Sequence, residues 1–163
     1  MRLPWIICLV WGLYMNGHAV NAQTTLPPGL FGVQLGQPLE TLKGRLRQIP
    51  GSVVIQGIEH IGYALTSGTD SLPAPVQKVH LAVRSDQQVV VGIYGLAELE
   101  ISTCQAEVQR VKAELEKKWR IPFKPMEHQK DTFFVSETDR FWLSVGCQQK
   151  RKTMFQLQLG QKP

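Results

Sequence analysis

The sequence predicts an α+β domain in which two helices pack on one face of a mainly antiparallel sheet. Three observations predict it. Short runs of alternating apolar residues are separated by turn-forming residues, as in hairpins. Two stretches carry apolar residues at helical spacing. Their succession reads β-α-β-β-β followed by β-α-β-β-β, the form of a tandem repeat with helices set against a sheet of hairpins.

The chain opens with Arg2 and the apolar run "LPWIICLVWGLYM", followed by the more polar "NGHAVNA", in which Val20 and Ala22 satisfy a small-residue cleavage rule. Residues 1–22 are therefore expected to be a signal peptide cleaved near Ala22. The run is shorter than the ~20 apolar residues of a spanning helix, so no transmembrane segment is expected after processing. Removing 22 residues from 163 leaves 141, suited to one domain with one core. Loss of Arg2 lowers the formal charge from +5 to +4, a mild excess that favours acidic partners or anionic surfaces without implying nucleic acid. The compartment expected is periplasmic or secreted.

Residues 23–29, with paired prolines and a glycine, read as a short linker, and residues 30–161 as the domain. "LFGVQLG" has strand character. "QPLETLKGRLRQIPG" reads as an amphipathic helix of about three turns, with Pro38 at its first position and Leu39, Leu42, Leu46 and Ile49 on one stripe. "SVVIQG" and "HIGYALT" read as strands, and "SGTDSLPAP" as a loop. "VQKVHLAVR" and "VVVGIYGL" form a hairpin across "SDQQ". After the second helix, "DTFFVS", "RFWLSVGC" and "TMFQLQLG" are strands, the last two joined by the basic turn "QQKRK".

The second helix, "STCQAEVQRVKAELEKKW", is the better formed. Ser102 and Gln105 have capping-box spacing, which makes Ser102 the N-cap and puts Cys104 in the first turn. Cys104, Val108, Val111, Leu115 and Trp119 share one stripe, so the cysteine faces the core. Glu107 with Arg110, Glu114 with Lys118, and Glu116 with Arg120 are spaced for surface ion pairs. In "RFWLSVGC" the period-2 rule sets Phe141, Leu143, Val145 and Cys147 on the apolar sheet face. Two inward cysteines in an oxidising compartment predict a Cys104–Cys147 disulfide. The competing reading of Cys104, a reactive thiol at a helix N-terminus, needs an exposed sulfur beside a base.

Chemistry beyond this is sparse. No nucleophile elbow, phosphate loop or dinucleotide fingerprint occurs. His60, His80 and His128 lack zinc-ligand spacing, although Met126 with His128, and Glu59 with His60, are nominal pairs for a metal. No catalytic residue, metal or cofactor is expected. His80 is out of phase with Val79, Leu81 and Val83, so it faces solvent or the second sheet face. Two basic clusters are candidate electrostatic contacts: Lys117, Lys118, Arg120 and Lys124 around the end of the second helix, and Lys150, Arg151 and Lys152 at a hairpin tip. Cations at a helix C-terminus also complement its dipole.

"FGVQLGQPLETLKGRL", residues 31–46, carries a strand ending in Leu-Gly and then a helix start of Pro followed by Leu-Glu. In Leu35, Gly36, Leu39, Glu40 and Leu42 it resembles small exported bacterial α+β proteins, in the style of the barrel-assembly small lipoprotein and the β-lactamase inhibitor protein. The chain lacks the lipidated cysteine of the former. The resemblance implies a non-catalytic, protein-binding domain. The function expected is thus an adaptor, assembly factor or accessory subunit for another envelope or secreted protein. The alternative is an inhibitor or immunity protein that blocks a secreted hydrolase, inserting a loop such as "TSGTDSLPAP". An enzyme with a dispersed site is the third reading.

Overall fold

Alternating apolar residues dominate the chain, and the computed structural model turns nearly all of them into strand. It describes residues 29–55, 57–67, 73–128, 131–149 and 151–162. The expected signal segment 1–22, nearly all of the expected linker 23–29 and most of the loop "SGTDSLPAP" lie outside the described residues. Gly29–Leu30 (β1) and Val33–Gln34 (β2) make a tight hairpin, and Leu39–Leu42 a single 3-10 turn. A meander follows, Leu46–Ile55 (β3), Ile58–Leu65 (β4), Lys78–Arg84 (β5) and Val89–Glu98 (β6). The helix Ile101–Trp119 (α1) leads into a second meander, Lys124–His128 (β7), Asp131–Glu137 (β8), Phe141–Gln149 (β9) and Thr153–Gln161 (β10). All eight long strands join one antiparallel sheet in the order β3-β4-β5-β6-β10-β9-β8-β7.

This corrects the expected fold class. Among the described residues there is one α-helix, not two, and the succession is two four-stranded meanders rather than two β-α-β-β-β units. The segment read as a helix from Pro38 to Ile49 is helical only over one turn. Lys43 already has extended backbone, and Gly44 adopts φ +81°, a left-handed conformation that ends the turn. Three turns containing a glycine are marginal without a long apolar face, whereas Leu46–Gln48 gain a full set of ladder bonds with Tyr63–Leu65. Pro50 and Gly51 fall at a bulge between Gln48 and Ser52 in an edge strand, a place where a missing N–H is tolerated. β7, over "KPMEH", has no counterpart in the expected elements.

The core lies on one face of the sheet. Val79, Leu81 and Val83 of β5, Ile93 and Ala97 of β6, Phe155, Leu157 and Leu159 of β10, and Leu143, Val145 and Cys147 of β9 are all buried there. α1 covers part of this face with Cys104, Val108, Val111 and Leu115, the stripe read from sequence. Leu30, Val33 and Leu42, from the hairpin and the 3-10 turn, complete the same core. This N-terminal segment is tied down where β6 begins: Gly36 N–H donates to the Val90 carbonyl at 2.7 Å and Leu39 N–H to the Gln88 carbonyl at 2.8 Å.

Candidate functional site

The predicted disulfide is present. Cys104 and Cys147 are bonded with Cα atoms 6.1 Å apart, both buried in the helix-covered core. The cap differs from expectation. Glu100 is the N-cap and Cys104 N–H already donates to the Glu100 carbonyl at 2.8 Å, so the helix begins before Ser102 could cap it. Of the expected ion pairs, Glu107–Arg110 forms at 2.7 Å. Glu114 instead meets Arg110 at 2.6 Å, because one guanidinium fork reaches carboxylates on the turns either side of it. Glu116 pairs with Lys112 at 2.8 Å rather than with Arg120, whose φ of +53° marks the end of the helix.

Among the described residues the opposite face of the sheet carries no helix, and strand register shows what it presents, since directly paired residues point the same way. One row runs His80, Tyr94, Gln158, Ser144, Val135 across β5, β6, β10, β9 and β8. The next runs Ala82, Gly92, Gly160, Trp142. A third runs Leu96, Gln156, Gly146, Phe133, Met126, ending on the edge strand β7.

Aromatic rings on this face lie over glycines. A Cβ added to Gly160 would meet the Trp142 ring at 2.4 Å, and one at Gly146 would meet the Phe133 ring at 2.4 Å. At Gly92 the neighbours are Tyr94 at 3.0 Å and Ile55 at 2.8 Å. Ile55 belongs to β3, three strand positions from β6, a separation of about 14 Å in a flat sheet. The β3–β4 hairpin therefore curls over the face and makes it concave, enclosing a small second core of Ile55, Ala82 and Val91. The rest stays open: Tyr94, Phe133 and Trp142 are half-buried, while Met126 and Ile58 are 52% and 48% exposed.

At the centre of the open face the polar groups are uncharged amides and hydroxyls, while Arg47, Lys78, Lys124 and Glu137 continue the same rows at their ends. Gln158 donates to the Gln156 side chain, which donates to Gln148 at 3.0 Å, so amides link β10 to β9. The Trp142 indole N–H is buried without an acceptor among the described residues. Burial pushes the Tyr94 hydroxyl pKa far up, so it stays neutral. His60 and His80 are both held below the ordinary imidazole value, first by burial and then by Arg84 and Lys78 respectively. His80 thus lies on the second face, as its phase predicts.

The basic residues do not form one patch. Lys117, Lys118 and Arg120 are exposed at the C-terminal end of α1, with Lys124 at the start of β7. Lys152 sits at the other end of the helix, paired with Glu98 at 2.5 Å, beside exposed Arg151. Lys150 lies outside the described residues, as does the His128 side chain. A helix of this length separates the two groups by about 27 Å, well beyond the screening distance in physiological salt. Among the described residues no three histidine, cysteine or carboxylate groups converge to hold a metal, and no helix is long and apolar enough to cross a membrane. No family model, curated protein or solved structure matches the chain.

Sequence reasoning found the covered face and passed over the open one. The signal was present in "RFWLSVGC", where the alternation that turns Leu143, Val145 and Cys147 inward also lines up Trp142, Ser144 and Gly146 on the other side.

Proposed function

We propose that the protein is a non-catalytic, exported protein-binding module, an adaptor, assembly factor or accessory subunit, that docks another envelope or secreted protein on its open sheet face. The observation that carries this reading is the concave face itself, with Tyr94, Phe133 and Trp142 spread over glycines and rimmed by exposed Met126 and Ile58. Tyr, Trp, Phe and Met are the residues enriched at the centres of protein interfaces, and charged groups are depleted there. Rings held by backbone contact lose little freedom on binding, which favours affinity. The disulfide across the opposite face supports a secreted or periplasmic setting. The basic clusters add a weak attraction to anionic surfaces at two separate sites.

The test is affinity capture from envelope extract with the wild type, a Tyr94→Ala/Phe133→Ala variant, and a Lys117→Glu/Lys118→Glu variant. A partner retained by the lysine variant and lost by the aromatic one supports the reading. Equal capture by all three sinks it, and a secreted hydrolase as the captured protein selects the inhibitor alternative. N-terminal sequencing of the exported form, expected to begin at Gln23, tests the export step.

A further inference from the structure

On the helix-covered side, away from the proposed docking face, a cleft of about 310 Å³ opens between the C-terminal half of α1, the β1–β2 turn and the loop at residues 73–76. We propose that this cleft is a binding site for a slender amphipathic anion, of the class of medium-chain carboxylates.

Its interior is apolar. Val111, Leu115 and Trp119 form the helix wall, and Phe155 and Leu157 of β10 form the floor. The loop wall is held in place by the helix. Arg110 donates to the Ala74 carbonyl at 2.7 Å while Glu107 and Glu114 fix its guanidinium. The remaining wall is Phe31, in a two-residue turn with φ +53°, followed by Gly32 at +73°. That turn favours Asn-Gly, and a bulky residue there is strained. Its ring occupies the space a Cβ on Gly95 would need, 2.5 Å away. The strained backbone thus places a flat apolar wall that a turn-forming Asn would not supply, which is the kind of conflict that clusters at ligand sites.

The charge at the mouth selects the ligand. Glu114 lines the rim, with its Oε1 held at 2.6 Å by the Arg110 guanidinium, which offsets part of its charge. Lys118, also on the rim, makes no salt bridge among the described residues, and its ammonium stands 5.5 Å from the Trp119 ring centroid. Lys117 and Arg120, exposed at the same end of the helix but outside the cleft lining, add positive charge that opposes the partial negative charge of the helix end. An apolar slot with a cationic rim fits a ligand with an apolar body and an anionic head. The volume is at the small end of the ~300–1,000 Å³ range of ligand pockets, which suits one short chain rather than a two-chain lipid.

The experiment uses the purified protein, the fluorescent probe phenylnaphthylamine, and displacement by decanoate, decanol and decyltrimethylammonium. Decanoate is expected to displace the probe at the lowest concentration, and Lys118→Glu to weaken decanoate by about threefold while improving the ammonium compound. Phe31→Asn should weaken all three, and Tyr94→Ala, on the opposite face, none. Lys118 is exposed, so its variant keeps the test decisive even if Phe31→Asn lowers stability. Absence of probe binding, displacement that ignores the headgroup, or an unchanged order in Lys118→Glu overturns the proposal.

Discussion

On the helix-covered face, Leu159, Leu143, Val145 and Ile93 are sealed under α1 and the N-terminal segment, with a disulfide through the same layer. On the open face, Trp142, Phe133 and Tyr94 lie over Gly160, Gly146 and Gly92 and remain half-exposed. One face therefore holds its strands together by bulk and burial. The other gives up bulk at its glycines so that a few rings can lie flat and stay reachable. Changes on the first face should cost stability, and changes on the second should cost binding.

The largest effect expected is on the covered face. Replacing both cysteines with serine removes a cross-link over 43 residues and should cost about 4 kcal/mol in the chain-entropy model. Urea unfolding of the variant measures it, and a thiol titration of the denatured, unreduced exported form should find no free thiol. Phe155→Ala should lose about 3–5 kcal/mol and Phe133→Ala about half that or less, since Phe133 is half-exposed. Equal losses would erase the distinction between the faces. Gly160→Val, whose Cβ would meet the Trp142 ring at 2.4 Å, should cost about 1–3 kcal/mol and displace that ring, so capture of the partner falls with it. Trp142→Phe removes a buried donor that has no acceptor among the described residues, so stability should hold or rise by up to about 1 kcal/mol. A clear loss would mean that the indole N–H is satisfied.

The smallest effect is in pH. His60 and His80 have folded pKa values below those of the unfolded chain. As pH falls through about 6.5 the unfolded chain takes up protons first, so stability drops, and the loss levels off once the folded imidazoles protonate. The urea midpoint should therefore decline as pH falls through about 6.5, and His80→Gln should flatten that decline. A slope unchanged by His80→Gln would assign the decline to other groups.

What the sequence made legible follows from these rules. The stripe Cys104–Val108–Val111–Leu115 and the alternation Leu143–Val145–Cys147 are periodic signals long enough to be unambiguous, and together they predicted the bridge. Leu39–Leu42–Leu46–Ile49 is a shorter stripe, and the left-handed Gly44 and the β4 pairing partner outweighed it. β7 contains Pro125 and little alternation, so its strand character comes from pairing with β8. The concavity was hidden because it depends on Ile55 reaching Gly92 across two intervening strands.

β10 is the last of the eight strands along the chain, yet it lies at the middle of the sheet, between β6 and β9. Until it arrives, both meanders carry a long unpaired rim of amide and carbonyl groups, ready to join a neighbouring molecule. Synthesis from the N-terminus thus leaves a half-built, sticky intermediate for as long as the second meander takes to emerge. Slowing that stage, or trimming "TMFQLQLG", should favour clumping over folding.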